Sequence, residues 1–197
     1  MKRTLARYKR STPVPLEISL PVDYLQDEEY CMALSEDIHV CGNGWETISS
    51  VDGKSADVIP KIKGVYVFVW RTLFSMKSDT SSIDFNQAVY VGSASKGDSS
   101  LRQRFINDYQ KIVKLFPAVH WTQSGMMTRD EKLKKVLNLW ELDYWFVTME
   151  GAGQDQIEDI EDRLIALLNP PGNTRNRSRI TGKVNKDKRA PAFEPAF

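Results

Sequence analysis

The sequence has few of the side chains that would define a metal cluster or a disulfide framework. It contains two cysteines, Cys31 and Cys41, and two histidines, His39 and His120, among 197 residues. Two cysteines do not make a disulfide-rich scaffold, and in a reducing compartment they are expected to be free thiols. Cys31, His39 and Cys41 lack a fourth ligand and the spacing of a standard zinc module. The sequence therefore predicts no zinc site.

Long apolar runs are also missing. No segment has the length and apolar character of a membrane span. The basic start, residues 1–20, lacks the apolar core and the small-residue cleavage site of a signal peptide. We therefore expect a cytoplasmic protein that does not bind a membrane. The composition, 41% hydrophobic and 27% charged, is that of an ordinary globular chain, and the length favours one domain with extensions.

The net charge is only +1, but the charges are unevenly distributed. Residues 1–10 are basic without a single acid, residues 173–189 carry many basic side chains and one acid, and acids are concentrated in residues 155–162. Basic ends with small polar residues between the charges are typical of contact with a polyanion. A solubilising tail is the alternative interpretation.

Two strands are predicted in the middle of the chain. Residues 64–70 and 88–92 are rich in β-branched and aromatic side chains, as buried strands are. Two strands so close in sequence usually pair as a hairpin. Because a polar stretch runs from Ser75 to Asn86, we expect a connection longer than a tight turn.

Helical spacing of apolar residues, together with one further aromatic segment, predicts the remaining elements. Pro117 is expected to close the helix that begins near Ser99. The order of elements predicts an α+β fold, in which helices pack against a small sheet. The predicted helices are 23–34, 99–116, 129–137 and 157–168, and the predicted third strand is 142–147.

Hydrolysis of a phosphodiester needs few parts: a group that activates water, a ligand for a divalent cation and a cation that stabilises the phosphate charge. Mg²⁺ keeps several waters and takes only one or two protein carboxylates, so a dense ligand cluster is not required. The predicted elements supply candidates for each part, two of them strand tyrosines, and one residue at the edge. These candidates are Tyr66, Tyr90, Arg104, Glu161 and Asn173.

Each candidate also has a simpler interpretation. Tyr66 and Tyr90 would serve equally well as core aromatics of two strands. Arg104 fits a solvated helix face, and Asn173 fits a helix exit. Acids near a helix start favour the helix dipole, but Glu161 lies beyond the first turn. Glu158, three residues earlier on the same face, is the rival metal ligand.

The same residues carry a family resemblance. Gly64-Val65-Tyr66 and Tyr90-Val91-Gly92 resemble the two halves of the GIY-YIG nuclease signature, and Ser93 follows as a small polar residue often does. Three later segments resemble the next motifs of that family in the same order. They are Leu101–Phe105 with Arg104, Glu161–Ile165 with Glu161, and Asn169–Asn173 with Asn173.

The resemblance covers residues 62–175 and implies a three-stranded antiparallel sheet flanked by helices. An N-terminal extension and a basic C-terminal tail lie outside it. The resemblance implies that Tyr66 is the general base, that Tyr90 assists at the nucleophile or phosphate, and that Arg104 stabilises the phosphate. Glu161 would bind a single Mg²⁺ or Mn²⁺, and Asn173 would support the site from its edge. The implied division is an extension at 1–61, a nuclease domain at 62–175 and a tail at 176–197.

One position departs from the family pattern. Many members carry a histidine one helical turn after the arginine, and this chain has Asp108 there. Arg104 and Asp108 are four residues apart, so they share a helix face and are able to pair. Such a pair would either hold Arg104 in place or neutralise it. His120 is interpreted as structural, with replacement of the missing histidine as the alternative.

The leading hypothesis is a metal-dependent endonuclease that acts on double-stranded DNA, in its favoured version a restriction enzyme. The long hairpin connection and residues 1–61 are candidates for base reading or for dimerisation, since symmetric cutting needs two active sites. The alternatives are a DNA-binding module with impaired catalysis, a repair or mobile-element nuclease of the same family, and an interaction protein. The residues expected to contact DNA are Lys96, Arg102, Arg175, Arg177, Arg179 and Lys183.

Overall fold

The computed structural model describes residues 18–113, 133–134, 136–139 and 141–174. Two helices precede the first strand, and two further helices come after the long strands. Their bounds are Val22–Leu25 for α1, Glu28–Cys41 for α2 and Gln154–Leu168 for α4. Helix α3 is α-helical over Leu101–Arg104, π-helical over Phe105–Tyr109 and α-helical again over Gln110–Val113.

The strands form one antiparallel sheet, which confirms the predicted α+β class. They are β1 at Glu46–Ile48, β2 at Gly64–Lys77, β3 at Ser82–Ala94 and β4 at Leu142–Thr148, in the spatial order β1-β4-β2-β3. The prediction of three strands is wrong. Residues assigned to the N-terminal extension form β1, which pairs with β4 through Glu46 and Phe146.

The hairpin of β2 and β3 differs from the expected long connection. Both strands continue through the polar stretch, and Lys77 pairs with Ser82, so only residues 78–81 remain for the turn. The pairing of β4 with β2 ends at Trp70. The outer hairpin therefore extends beyond that partner, and most of its described side chains are exposed, Phe74 and Ile83 by 65% and 56%. Exposure on both faces removes the apolar pattern by which strands are recognised in a sequence.

The sheet has a separate core on each face because alternate residues of a strand point to opposite sides. Tyr66 and Phe68 of β2 join an aromatic core together with residues of α3. Val65 and Val67 join an aliphatic core with residues of α2 and α4. The inner part of β2, residues 64–68, is therefore buried on both faces, which is why its sequence is almost continuously apolar.

The helix ends follow from local chemistry. Asp27 accepts a hydrogen bond from the Tyr30 amide and caps α2, so the helix predicted at 23–34 is two helices separated at this residue. Ser100 caps α3 in the same way. Helix α4 ends at Asn169, whose left-handed conformation is typical of a helix C-terminus.

The other predicted helix lies only in part within the described residues. Residues 133–134 and 136–137 are helical, and the remainder of the segment 129–137 lies outside the described residues. Pro117 and His120 also lie outside them. Within the described ranges, none of the helices combines the length and apolar character that a membrane span requires.

Candidate active site

Three tyrosine hydroxyls meet in the aromatic core beneath one end of β2 and β3. The hydroxyls of Tyr66 and Tyr109 lie 2.5 Å apart, and the Tyr109 hydroxyl donates to the Tyr90 hydroxyl over 3.4 Å. The exposed fractions of Tyr66, Tyr90 and Tyr109 are 0%, 6% and 1%. The two strand tyrosines of the signature are therefore joined through a helix residue that the motifs do not include.

The π-helical segment of α3 brings Tyr109 to this place. In a π-helix each turn is wider than in an α-helix, and the hydrogen bond spans five residues instead of four. The amide of Gln110 accordingly donates to the carbonyl of Phe105. One turn after Arg104, the wide turn presents Tyr109 to the strand tyrosines, while Asp108 pairs with Arg104 at 2.9 Å. The expected pairing of Arg104 and Asp108 is thus present.

A cavity of about 490 Å³ opens beside this cluster. Four of the five predicted catalytic residues line it, and they come from four different parts of the chain. They are Tyr90 from β3, Arg104 from α3, Glu161 from α4 and Asn173 from the segment after α4. Tyr66 is the exception, because it is fully buried behind the wall.

Two serines, Ser93 near the end of β3 and Ser95 directly after it, hydrogen-bond to two carboxylates of α4 among the residues that line the cavity. Ser93 donates to Glu161 over 2.5 Å, and Ser95 donates to Glu158 over 3.0 Å. The spacing of two along the strand matches the spacing of three along the helix, so both pairs form at once. Glu158 also accepts from Gln154 at 3.0 Å.

Burial raises the pKa of the Glu161 carboxyl. The hydrogen bond from Ser93 and the charge of Arg104 oppose this effect, while Asp162 and Glu158 add to it. A buried carboxylate with an uncompensated charge is stabilised by a bound cation. Glu161 is therefore better suited to a metal ion than Glu158, which accepts from Gln154 and lies close to Lys96.

The residues present fit a hydrated Mg²⁺ or Mn²⁺. One or two carboxylates are sufficient for Mg²⁺ when water completes its shell, and the cavity has room for such water. Glu161 would hold the ion directly, with Glu158 next to it. No group of three or more His, Cys, Asp or Glu side chains is gathered in the described part of the chain, so a closed cage of protein ligands is not formed there.

Arg104 is a cation that lines the same cavity. Burial lowers its pKa, but the neighbouring phenols and Asp108 outweigh this and raise it, so the guanidinium stays charged. The same positive charge lowers the pKa of Tyr66, although burial and the nearby Tyr90 raise that pKa well above its ordinary value. Tyr66 is consequently a neutral phenol at physiological pH.

Asn173 holds the segment after α4 against the edge of the sheet. Its side chain accepts from the amide of Val91 and donates to the carbonyl of Val91, both at 2.9 Å. In addition, the amide of Gly172 donates to the carbonyl of Val89. The Asn173 amide thus pairs with β3 as a neighbouring strand would, which is a supporting role at the edge of the cavity.

Of the predicted DNA-contacting residues, one lines the cavity, one is hydrogen-bonded to the protein backbone, and four lie outside the described residues. Lys96 lines the cavity and lies 3.9 Å from Glu158. Arg102 donates to the backbone carbonyls of Ile59 and Asp57, so most of its guanidinium is already engaged by the protein. Four further residues, Arg175, Arg177, Arg179 and Lys183, lie outside the described residues.

Sequence reasoning missed Tyr109 and Ser95. Tyr109 falls on the apolar face of its helix, where an aromatic residue is expected to be core, and a π-turn has no recognisable sequence pattern. The role of Ser95 could have been predicted from the sequence. Ser93 and Ser95 are two residues apart at the end of a predicted strand, so they point to the same side. Glu158 and Glu161 likewise share one face of a predicted helix.

Comparison of the chain with protein-family models, with curated proteins and with solved structures finds no match. The interpretation of the site therefore rests on the motif residues and on the geometry described above.

Proposed function

We propose that the protein is a divalent-metal-dependent endonuclease that hydrolyses phosphodiester bonds in DNA. The observation that carries this proposal is the convergence of Tyr90, Arg104, Glu161 and Asn173 on one cavity. These residues are separated by up to 83 positions in the sequence. Three residues whose side chains have the properties that phosphodiester hydrolysis requires, a hydroxyl, a cation and a carboxylate, thereby line one cavity.

Each side chain has a distinct task in this proposal. Arg104 binds the phosphate and stabilises the negative charge that develops on it. Glu161 holds Mg²⁺ or Mn²⁺, which when bound supplies Lewis-acid polarisation of the phosphate and lowers the pKa of water. Tyr90 contacts the attacking water in this proposal, because it is the signature tyrosine that lines the cavity. Tyr66, the general base implied by the resemblance, lies behind Tyr90 and supports it through Tyr109.

Double-stranded DNA is the proposed substrate, and restriction is the favoured biological role. The basic ends of the chain suit a polyanion. The protruding hairpin of β2 and β3, with Phe74 and Ile83 exposed, is a candidate for base reading or for contact with a second copy. A homodimer would supply the two active sites that symmetric cutting needs. Repair and mobile-element nucleases would use the same site chemistry.

Cleavage assays on site variants test the assignment of the metal ligand. Glu161→Gln keeps the size of the side chain and its ability to accept from Ser93, but removes the charge. We expect its cleavage rate in Mg²⁺ to fall by about 100-fold or more, the range typical of losing one charge-stabilising group. Glu158→Gln is the matched comparison on the same helix, with an expected loss below about 10-fold. A larger loss for Glu158→Gln than for Glu161→Gln would assign the metal to Glu158.

A DNA-binding module without cleavage is the second candidate, and the pairing of Arg104 with Asp108 favours it. A guanidinium engaged by a carboxylate has less charge to offer a phosphate. This candidate predicts salt-sensitive DNA binding, no metal-dependent product, and gain of cleavage in Asp108→Asn. The endonuclease proposal instead predicts cleavage by the unaltered chain.

A further inference from the structure

Tyr109 is the link between the two signature tyrosines. Its hydroxyl contacts both Tyr66 and Tyr90, and among the described residues no hydrogen bond joins Tyr66 to Tyr90 directly. Of the three hydroxyls, only that of Tyr90 belongs to a residue lining the cavity. The buried pair therefore meets the lining of the cavity at two residues: Tyr109 contacts Tyr90, and Tyr66 interacts with Arg104. The contact of Tyr109 with Tyr90 is the one that reaches the signature tyrosine of β3.

The direction of these hydrogen bonds determines whether the Tyr90 hydroxyl acts as a donor or as an acceptor towards Tyr109. A phenol has one hydrogen to donate. Because Tyr109 donates its hydrogen to Tyr90, the hydrogen between Tyr66 and Tyr109 must come from Tyr66. Tyr90 accepts at one side, so this contact does not use its own hydrogen or its remaining lone pair. The order of donation thus runs from the buried core towards the site.

Core packing alone does not require this hydroxyl. Tyr144 lies in the same aromatic core, stacks on Tyr66, and is likewise fully buried. Its hydroxyl has no hydrogen-bond partner among the residues that the structure describes. The two tyrosines therefore differ in what their hydroxyls contact, although both fill the core. Tyr109 also owes its position to a π-helical turn, a feature that is frequent at functional sites.

We infer that Tyr109 is a positioning residue for Tyr90: its hydroxyl fixes the orientation in which Tyr90 meets the attacking water or the phosphate. This inference rests on the proposed nuclease function. It assigns to the reaction a residue that lies one wide helical turn beyond Arg104 and does not itself reach the cavity.

The test compares Tyr109→Phe with Tyr144→Phe in the full chain. Each variant removes one buried hydroxyl from the same core and preserves the ring. For Tyr109→Phe we expect kcat for DNA cleavage to fall by about 10–100-fold, the scale of a misplaced catalytic group. Its DNA dissociation constant, measured with Ca²⁺ in place of Mg²⁺, is expected to stay within about twofold, since Tyr109 does not reach the cavity. Tyr144→Phe is expected to leave both values within about twofold of those of the unaltered chain.

A double-mutant cycle separates positioning from a structural effect. If Tyr109 acts through Tyr90, then Tyr109→Phe adds no further loss in a Tyr90→Phe background. Losses that multiply in the double variant would overturn the inference, as would an equal loss of kcat in Tyr144→Phe. Normal kcat in Tyr109→Phe, with cleavage by the unaltered chain, would overturn this inference and leave the proposed function standing. Absence of cleavage by the unaltered chain would overturn both.

Discussion

At Glu161, the negative charge that metal binding needs is expected to lower the stability of the folded chain. Its carboxyl is partly buried beside Asp162 and Glu158, and this burial raises its pKa above the ordinary value. For a carboxyl with a raised pKa in the folded state, the stabilising contribution is present below the ordinary pKa. That contribution is lost as the pH rises through the raised value. At neutral pH, the ionised side chain therefore lowers the free energy of unfolding.

Glu161→Gln is predicted to raise the melting temperature in EDTA at neutral pH by a few degrees. The neutral amide avoids the cost of a buried charge, and about 1 kcal/mol corresponds to about 2–4 °C in a chain of this size. The gain is expected to shrink as the pH falls towards the ordinary pKa of a carboxyl. Thermal melts of both proteins at several pH values measure the difference.

Added Mg²⁺ is expected to give the unaltered chain a higher melting temperature than Glu161→Gln, the reverse of the order in EDTA. A ligand that binds only the folded state stabilises it, so Mg²⁺ should raise the melting temperature of the unaltered chain and not that of Glu161→Gln. Glu150→Gln, at an exposed position in the turn after β4, is the matched control and should respond to Mg²⁺ as the unaltered chain does. Equal responses of all three proteins would exclude Glu161 as the metal ligand.

At the scale of elements, the two signature glycines permit close approach between neighbouring parts of the sheet. A Cβ at Gly92 would lie 2.6 Å from Cζ of Tyr66. A Cβ at Gly64 would collide with the backbone of Val147 in β4. The glycines are therefore required by the packing of β2 against its neighbours, and the tyrosine cluster depends on this packing.

Gly92→Ala is predicted to lower the free energy of unfolding by about 1–3 kcal/mol, the usual cost of forcing extra volume into a packed core. The added methyl group would displace the Tyr66 ring and, with it, the hydroxyl contact to Tyr109. Gly151→Ala is the matched control, because nothing lies within 4 Å of a Cβ at that position. Denaturant unfolding curves should separate the two variants, and equal stability would contradict the described packing.

The sequence predicts the elements that have a strong periodic pattern. Strand β2 around Val65 and Val67 and helix α4 from Ile157 to Leu164 are examples. The apolar pattern of these elements reflects burial on known faces, so the α+β class follows from it. The same reasoning places Arg104 and Glu161 on helices beside the sheet.

Elements with little burial, or with rare geometry, could not be predicted. The outer hairpin near Phe74 and Ile83 is exposed, so its residues carry no alternating pattern. Strand β1 has three residues, too few for a period to be detected. The π-turn at Phe105–Tyr109 depends on tertiary packing and not on local preference. The contacts among Tyr66, Tyr90 and Tyr109 could therefore be found only from the three-dimensional structure.

On the scale of the whole molecule, the basic tail is expected to supply much of the DNA affinity. Each phosphate contact by a cation contributes about 0.9 to the slope of log affinity against log salt concentration. Replacing all four basic residues of the tail by glutamine should therefore reduce that slope by up to about 4. The residues are Arg175, Arg177, Arg179 and Lys183.

Fluorescence anisotropy with a labelled duplex, measured at several KCl concentrations, gives this slope. Lys54→Gln and Lys61→Gln, at exposed positions away from the cavity, form the matched control and should leave it unchanged. A slope that does not respond to the four replacements would assign the tail a solubilising role.

Cleavage of DNA by the unaltered chain is the most direct test of the metal-dependent nuclease assignment. Purified protein is incubated with supercoiled plasmid and with several unrelated linear duplexes, in Mg²⁺ or in EDTA, next to Glu161→Gln. The account predicts cut products in Mg²⁺ only, absent in EDTA and in the variant, with discrete fragments if the enzyme is of the restriction type. Products that persist in EDTA, or that Glu161→Gln forms as fast as the unaltered chain, would contradict it.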